Sequence, residues 1–158
     1  TGGVKSAAAV LTLDITKGII AVILARLIIG THGAEVTAGL IVLVGHNWPV
    51  FLRFKGGRGI LTALGGLALM VPVAALIATA TFLTITYLSR YISLGSVVGV
   101  VIGAISILAL ALANISSDTY MIYGFIAGII IVWQHRDNIQ RIRGGSERRL
   151  GQPATKVE

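Results

Sequence analysis

Cysteine is absent from the 158 residues of this chain, and charged residues are few. Without a thiol, the chain can form no disulfide and has no thiolate nucleophile. Only 12% of the residues are charged while 55% are hydrophobic, and the mean hydropathy is +0.89, which leaves too little polar surface for a water-soluble domain. The composition therefore predicts an integral membrane protein of the all-α class.

Acidic residues are scarce as well, with six Asp and Glu against 13 Lys and Arg. No other metal ligands are grouped around His32, His46 or His135, so we expect no metal site and no cofactor. The net charge of +7 does not indicate a nucleic-acid partner, because the cations stand beside apolar segments without interleaved aromatics. Membrane topology and an anionic ligand explain the charge better.

Long apolar runs predict a polytopic helical membrane protein with about six membrane segments in a single domain over residues 1–150. Residues 151–158 are expected to be a disordered cytoplasmic tail. Because the chain begins without methionine, we expect that an N-terminal part is missing. The predicted segments are residues 6–29, 36–54, 60–71, 73–88, 94–115 and 119–133, and Pro49 is expected to kink the second segment or to end it early.

Pro72 decides the topology, because it stands in the middle of the apolar run 60–88. If the chain turns back there, Arg90 lies on the same side as Lys55. All cations outside the spans then fall on one side, which the positive-inside rule assigns to the cytoplasm. The first of the two helices would cover only about 18 Å at 1.5 Å per residue, so it has to pack inside the bundle.

Residues 45–62 interrupt the apolar sequence with glycines and cations. The glycines allow backbone N–H groups to approach a ligand, directly before a helix N-terminus that favours anions. The spacing is not that of a nucleotide P-loop. The segment predicts a phosphate-binding loop, and the alternative is a plain cytoplasmic loop. Its candidate residues are Lys55, Gly56, Gly57, Arg58 and Gly59.

Two further polar groups are expected beside this loop. Ser93 and Ser96 open the fifth segment, either as plain helix caps or with a hydroxyl facing the loop. His135, Asn138 and Arg141 recur every three residues, so they share one side of a helix that leaves the membrane.

This last helix is expected to end at Gly144 and Gly145, with Asp137 and Arg141 able to pair one turn apart. Its alternative interpretation is a basic surface helix bound to lipid headgroups.

Asp14 and Lys17 lie inside the first segment, where an unpaired charge is costly. They stand three residues apart on one helical face, so we expect them to pair with each other or with a neighbouring helix. Arg26 is near enough to a span end to reach the membrane surface. His46 is interpreted as a buried, hydrogen-bonded histidine, and together with Asp14 and Lys17 it is assigned a structural supporting role.

Several of these segments resemble the acyl-phosphate:glycerol-3-phosphate acyltransferases, the bacterial PlsY family, in order and spacing. A first stretch, Leu13-Asp14-x-x-Lys17-Gly18, is similar to the family's second span. The main matches are Gly45-His46-x-x-Pro49-x-Phe51-x-x-Phe54-Lys55-Gly56-Gly57-Arg58-Gly59, Arg90-Tyr91-x-Ser93-Leu94-x-Ser96 and His135-Arg136-x-Asn138-Ile139-x-Arg141-x-x-x-Gly145-x-Glu147.

Two departures from the family pattern are visible. Arg58 stands where the family usually has lysine, which keeps the charge and adds a planar, bidentate donor. The family's usual first span, with its Gly-Ser-Gly-Asn loop, is not in this sequence, so the chain is interpreted as N-terminally truncated. The resemblance implies seven spans when that first one is included.

The resemblance implies an enzyme of the bacterial inner membrane with its active site on the cytoplasmic face. It implies transfer of a fatty acyl group from acyl phosphate to the 1-hydroxyl of glycerol 3-phosphate, giving lysophosphatidic acid and phosphate in the first step of phospholipid biosynthesis. The implied partners are these two substrates and membrane lipid, and the oligomeric state stays open but compatible with a monomer. The alternative function is a non-enzymatic anion transporter or lipid-binding scaffold, although a transporter tends to place charges near the midplane.

The resemblance also assigns roles to residues. The general base is left open between His135, Glu147 and the substrate's own phosphate. Lipid-type acyltransferases that use thioesters carry a histidine followed by an aspartate five positions later, but five residues after His46 stands Phe51. Phosphate binding falls to Lys55, Gly56, Gly57, Arg58, Gly59 and Arg141, and catalysis to His135, Asn138, Glu147, Arg58 and Ser96.

Overall fold

The computed structural model describes residues 3–54 and 56–152, and within those ranges the regular structure is helical throughout. Four stretches in these ranges are long and apolar enough to cross a membrane, namely Lys5–Ile28, His32–Leu52, Pro72–Ser89 and Ile92–Leu112, and two shorter apolar helices are Ile60–Met70 and Thr119–Gln134. The predicted all-α membrane fold is confirmed. The helices are α1 (Gly3–Ile28), α2 (His32–Asn47), α3 (Ile60–Met70), α4 (Pro72–Ser89), α5 (Ile92–Leu112), α6 (Thr119–Gln134) and the polar α7 (Arg136–Arg143).

The bounds of α2 differ from the expected segment 36–54 at both ends. The helix begins at His32 because Thr31 caps it, with its Oγ1 accepting a hydrogen bond from the Ala34 N–H at 3.3 Å. It ends at Asn47, since Pro49 disfavours a helical conformation at the residue before it. A short 3-10 turn over Val50–Leu52 follows. The expected tail, residues 151–158, lies outside the described residues from 153 onward.

The chain reverses direction at Pro72, as predicted. Pro72 is the first residue of α4, where its missing N–H loses no hydrogen bond, and the Val71 N–H still bonds to the Leu67 carbonyl of α3 at 2.8 Å. The residues just before α3 and just after α4 therefore lie at the same end of the bundle. Arg58, before α3, lines one cavity with Arg141, and Ser93, after α4, is linked to Arg141 through Glu147. We call this the site end.

Glycines allow two pairs of helices to approach closely. A side chain at Gly18 of α1 would collide with the Thr62 carbonyl of α3, and one at Gly65 of α3 would collide with the Ile15 carbonyl of α1. The hydrophobic effect does not drive helices together inside a membrane, so their association depends on van der Waals contact. Small residues at the contact allow that close approach. The 11-residue α3 is thus held against α1 inside the bundle. The same pattern recurs where Gly95, Gly99 and Gly103 of α5 meet Thr86, Phe82 and Ala78 of α4.

At the opposite end of the bundle, one buried acid joins three helices. Glu35 of α2 is 3% exposed and accepts two hydrogen bonds from Arg26 of α1, at 2.8 and 2.9 Å. The Tyr120 hydroxyl of α6 donates to the same carboxylate at 2.9 Å. Arg26 also donates to the Leu69 carbonyl of α3. Arg26 is therefore a partner of Glu35, which sequence reasoning did not foresee.

Candidate functional site

A polar cavity of about 370 Å³ lies at the site end, between the loop that follows α2 and helix α7. Two predicted segments meet there. From the predicted set, the lining residues are Gly56, Gly57, Arg58, Asn138 and Arg141. Lining residues that sequence reasoning did not select are Asn47, Trp48, Phe54, Gln134, Arg136 and Asp137. A larger groove of about 630 Å³ on the outside of α5 and α6 is mainly apolar and contains none of the predicted residues, so we place the site in the smaller cavity.

The glycines of the loop lie directly against the end of α2. A side chain at Gly56 would collide with the His46 carbonyl, and one at Gly57 would collide with the His46 ring. A side chain at Gly59 would meet the Asn47 amide, and Gly59 also has a left-handed backbone with φ of 76°. Glycine at these positions therefore has a packing reason. Its predicted contact with phosphate stays a prediction.

Arg58 is the cation that the loop brings to the cavity. Among the described residues, no acid lies within ion-pair distance of its guanidinium. Partial removal from water lowers the pKa of Arg58, the nearby Arg141 adds to this, and Glu147 and Asp137 oppose it. Since an arginine keeps its charge at physiological pH, an unpaired cation faces the cavity, which suits an anion. Lys55 lies outside the described residues, and its role stays a prediction.

Glu147 joins α5 and α7 through three donors. The Ser93 hydroxyl and the Asn138 amide donate to Oε1 at 2.6 and 2.7 Å, and Arg141 donates to Oε2 at 2.7 Å. Burial works to raise the pKa of Glu147, but the three hydrogen bonds and the charge of Arg141 outweigh it and hold that pKa below its usual value. Glu147 is thus an ionised carboxylate with both oxygens occupied.

The two serines of the predicted site have different surroundings. Neither caps α5, whose N-cap residue is Tyr91. Ser96 donates to the Ile92 carbonyl of its own helix at 3.0 Å and does not line the cavity. Ser93 instead reaches Glu147. The network at the site end therefore includes Ser93, and Ser96 lies apart from it.

Helix α7 divides its cations between two sides. Arg141 is engaged by Glu147, so the expected pair of Asp137 with Arg141 is wrong. Asp137 Oδ1 lies 3.8 Å from Arg136 Nε instead. Arg136 lies over the Trp133 ring at 5.1 Å, at the edge of the outer groove. Only the Arg141 side of α7 takes part in the Glu147 network.

His135 lies at the junction of α6 and α7 and is 1% exposed. Its Nδ1 is 2.8 Å from the Ile131 carbonyl, and since a carbonyl only accepts, Nδ1 carries the proton of the neutral ring. Burial lowers the pKa of His135, Arg58 adds to this, and the Ile131 carbonyl opposes it. The ring is therefore neutral near pH 7, with Nε2 as an acceptor.

The three residues assigned to structural support form one chain of contacts beneath the loop. Lys17 Nζ lies 2.6 Å from Asp14 Oδ1 and 2.6 Å from His46 Nδ1. Because an ammonium group only donates, His46 accepts at Nδ1 and carries its proton on Nε2. The His46 ring in turn lies against Gly57. The expected pairing of Asp14 with Lys17 is present, and it reaches the loop through one imidazole.

Comparison with known proteins places the chain in a family. A family model described as glycerol-3-phosphate acyltransferase matches residues 1–145. The glycerol-3-phosphate acyltransferase of Thermoanaerobacter sp. (strain X514) is 41% identical over 150 residues, which are 95% of this chain and 73% of the relative. Glycerol-3-phosphate acyltransferase 3 of Dehalococcoides mccartyi (strain CBDB1) is 42% identical over 167 residues, and the match covers 98% of this chain and 77% of the relative.

Two solved structures of PlsY (YgiH), an integral membrane glycerol 3-phosphate acyltransferase, have the same fold. Its glycerol 3-phosphate form matches with a TM-score of 0.85 at 33% identity, over 95% of this chain and 74% of that one. Its lysophosphatidic acid form matches with a TM-score of 0.84 at 33% identity, over 94% and 74%. From its sequence and its fold, the chain belongs to the glycerol-3-phosphate acyltransferase family.

Proposed function

We propose that this chain transfers a fatty acyl group from acyl phosphate to the 1-hydroxyl of glycerol 3-phosphate, giving lysophosphatidic acid and phosphate. The observation that carries the proposal is the cavity in which Arg58 and Arg141 meet at one end of an apolar bundle. Two guanidinium groups suit phosphorylated substrates, and the neighbouring apolar surface suits a fatty chain. The names of the relatives and the two ligand forms of PlsY support the same reaction.

The reaction needs no covalent enzyme intermediate, because an acyl phosphate is already activated. The 1-hydroxyl oxygen attacks the acyl carbonyl carbon, and the bond from that carbon to the phosphate oxygen breaks, so phosphate leaves with the electron pair. Arg58 and Arg141 position the phosphates and offset the charge that builds on the carbonyl and the leaving group. Lys55 is assigned the same role from the sequence alone.

We assign the hydroxyl proton to His135 rather than to Glu147. Neither residue lines the cavity itself, but His135 stands between Gln134 and Arg136, which do. Both oxygens of Glu147 already accept hydrogen bonds, whereas Nε2 of His135 has no partner in the described part of the chain. Glu147 then acts by holding Asn138 and Arg141 in place, and Ser96 takes no part. The competing acceptor is the substrate's own phosphate. If His135→Ala keeps near-normal turnover with an unchanged KM, the proton goes to that phosphate.

We place the site on the cytoplasmic face of the bacterial inner membrane. Arg90, Arg141 and Arg149 all lie at the site end, where Arg149 bonds to Tyr91 beside Arg90. The positive-inside rule favours the cytoplasm for an end rich in cations. Glycerol 3-phosphate then arrives from water, and the acyl donor arrives from the lipid that surrounds the apolar helices.

The test uses the intact protein in liposomes with labelled glycerol 3-phosphate and palmitoyl phosphate. We expect labelled lysophosphatidic acid, a large loss with Arg58→Ala, and a smaller loss with the matched variant Arg58→Lys, which keeps the charge. Palmitoyl-CoA serves as the control donor and should give no product. Entry of labelled glycerol 3-phosphate into the liposomes without product would support an anion transporter instead.

A further inference from the structure

A buried amide beside the cavity has no hydrogen-bond partner among the residues that the structure describes. Asn47, the last residue of α2, is 1% exposed, and neither its Oδ1 nor its Nδ2 meets a partner within the described ranges. A buried polar group left unpaired destabilises the fold, so a buried amide normally has a partner. Asn47 also lines the 370 Å³ cavity. Asn47 thus combines an unpaired amide with a place in the cavity wall.

The surroundings of this amide are also short of hydrogen bonds. A Cβ atom at Gly59 would come within 2.6 Å of Asn47 Oδ1 and 3.2 Å of Nδ2, so the amide lies at the start of α3. Gly59 has no side chain with which to cap that helix, whose first N–H groups lack helical partners. The Thr62 hydroxyl, in the first turn of α3, is likewise buried without a partner. Asn47 and Thr62 are thus two of the four residues with such groups in the described ranges, and of these four only Asn47 lines the cavity.

The chemistry of the cavity walls indicates what the amide would bind. Arg58 and Arg141 suit phosphate, and the Nδ2 of Asn138 is already used by Glu147. Asn47 offers an uncharged donor and an uncharged acceptor side by side, which match a hydroxyl, because a hydroxyl both donates and accepts. A fully ionised phosphate and an acyl carbonyl only accept hydrogen bonds, so either would pair with Nδ2 of the amide and leave Oδ1 without a donor.

We infer that the Asn47 amide binds the 2-hydroxyl of glycerol 3-phosphate and makes the enzyme selective for an acceptor that carries it. The inference rests on the proposed function, in which the 1-hydroxyl is the nucleophile beside His135 and the phosphate is held by cations. The 2-hydroxyl is the remaining polar group of that acceptor. A site built to hydrogen-bond a hydroxyl rejects an analogue that lacks it, because its own buried groups are then left unpaired.

The experiment compares two acceptors, glycerol 3-phosphate and 3-hydroxypropyl phosphate, which lacks only the 2-hydroxyl. The wild-type protein should prefer glycerol 3-phosphate by about 10²-fold in kcat/KM. Asn47→Ala should lose about that factor with glycerol 3-phosphate and little with the analogue, so that the preference disappears. The matched control is Thr86→Val, which also removes a buried, unpaired hydroxyl but lies in α4 away from the cavity lining, and it should keep the preference.

Equal losses with both acceptors would overturn the inference and make Asn47 a brace between α2 and α3. If Asn47→Ala does not fold, the wild-type protein is compared on the two acceptors alone. A preference for glycerol 3-phosphate below about threefold in kcat/KM then overturns the inference. A wild-type protein that acylates neither acceptor overturns the proposed function together with this inference. Turnover of glycerol 3-phosphate with a preference unaffected by Asn47→Ala overturns the inference alone.

Discussion

The two ends of the bundle each contain a glutamate held by an arginine and by neutral donors. The side chain of Glu35 is 4% exposed and that of Glu147 is 9% exposed, while Arg26 and Arg141 are 45% and 44% exposed. The contacts are thus nearly equivalent in burial and chemistry. What differs is which parts of the chain they join: Glu35 joins three apolar helices, whereas Glu147 joins α5 to the polar α7 that lines the cavity.

The chain that follows Glu147 reinforces this difference. The Leu150 N–H donates to the Arg90 carbonyl at 2.6 Å, and Arg149 Nε donates to the Tyr91 hydroxyl at 3.1 Å. The segment from Glu147 onward is therefore fastened across the turn between α4 and α5. The same kind of contact should stabilise the fold at one end of the molecule and hold the site in position at the other.

The largest expected effect on stability comes from Glu35→Ala. The substitution leaves the half-exposed Arg26 guanidinium and the buried Tyr120 hydroxyl without their shared acceptor, so we expect a loss of about 3 kcal/mol in the free energy of unfolding. Unfolding in detergent measures it, with acyl transfer per folded molecule unchanged. The control is Asp137→Ala, because the side chain of Asp137 is 65% exposed and its loss should cost less than about 0.5 kcal/mol. Equal losses from the two variants would contradict the prediction.

For Glu147→Gln we expect a large loss of activity and a small loss of stability. Glutamine keeps the shape but cannot balance the charge of Arg141, so Arg141 and Asn138 lose their fixed positions and kcat/KM should fall about 10²-fold. The loss of stability should be smaller than for Glu35→Ala, because Glu147 joins the short polar α7 to the bundle, whereas Glu35 joins three apolar helices. Acyl transfer and unfolding measured on the same samples test this. If Glu147→Gln lowers stability but leaves acyl transfer unchanged, Glu147 has the same purely structural role as Glu35, which contradicts the prediction.

A smaller effect is expected for Ser93→Ala. It removes one hydrogen bond to a charged acceptor, which is worth about 1.5–3 kcal/mol, although the remaining donors to Glu147 reduce the net loss toward the lower figure. Ser96→Ala is the matched control, since Ser96 bonds only to its own helix and should change stability by less than about 0.5 kcal/mol. If Ser96→Ala costs as much as Ser93→Ala, the network at the site end does not include Ser93.

The smallest effect concerns pH. The pKa of Glu147 is held below its usual value, so its contribution to stability is fully present above about pH 5 and is lost as the pH falls through the lower, folded-state pKa. The difference in unfolding free energy between the wild type and Glu147→Gln should therefore be constant above about pH 5 and shrink below about pH 4. Unfolding at a series of pH values measures it. If the difference in unfolding free energy grows as the pH falls, ionised Glu147 does not stabilise the folded protein, and the prediction is wrong.

Much of the fold could be predicted because it depends on local signals. Apolar runs define the helices, Pro72 reverses the chain, and Gly144 ends α7 as expected. Pro49 ends α2 early, which was one of its two expected effects, but the start of α2 was missed because the capping signal of Thr31 is weaker than the apolar pattern that follows it. Local sequence signals therefore place helices better than they place helix ends.

The contacts of the site were harder to predict, because they depend on how each helix is rotated about its axis. Ser93 and Glu147 are 54 residues apart, and no spacing rule connects them. Arg26 and Glu35 are only nine residues apart at the ends of adjacent segments, so their opposite charges were a usable signal that was overlooked. Asn47 had no signal at all, since its lack of a partner is visible only in three dimensions.

The short helix α3 has a consequence for how the protein enters the membrane. Its 11 residues cover about 17 Å, which is roughly half of the hydrocarbon core, so α3 cannot be stable there as an independent span. It has to enter together with α4, as a hairpin whose tip is the Val71 and Pro72 turn, and dock by Gly65 onto an α1 that is already in place. The order of insertion is therefore built into the length of one helix, and the arginine at its start stays on the side from which the hairpin entered.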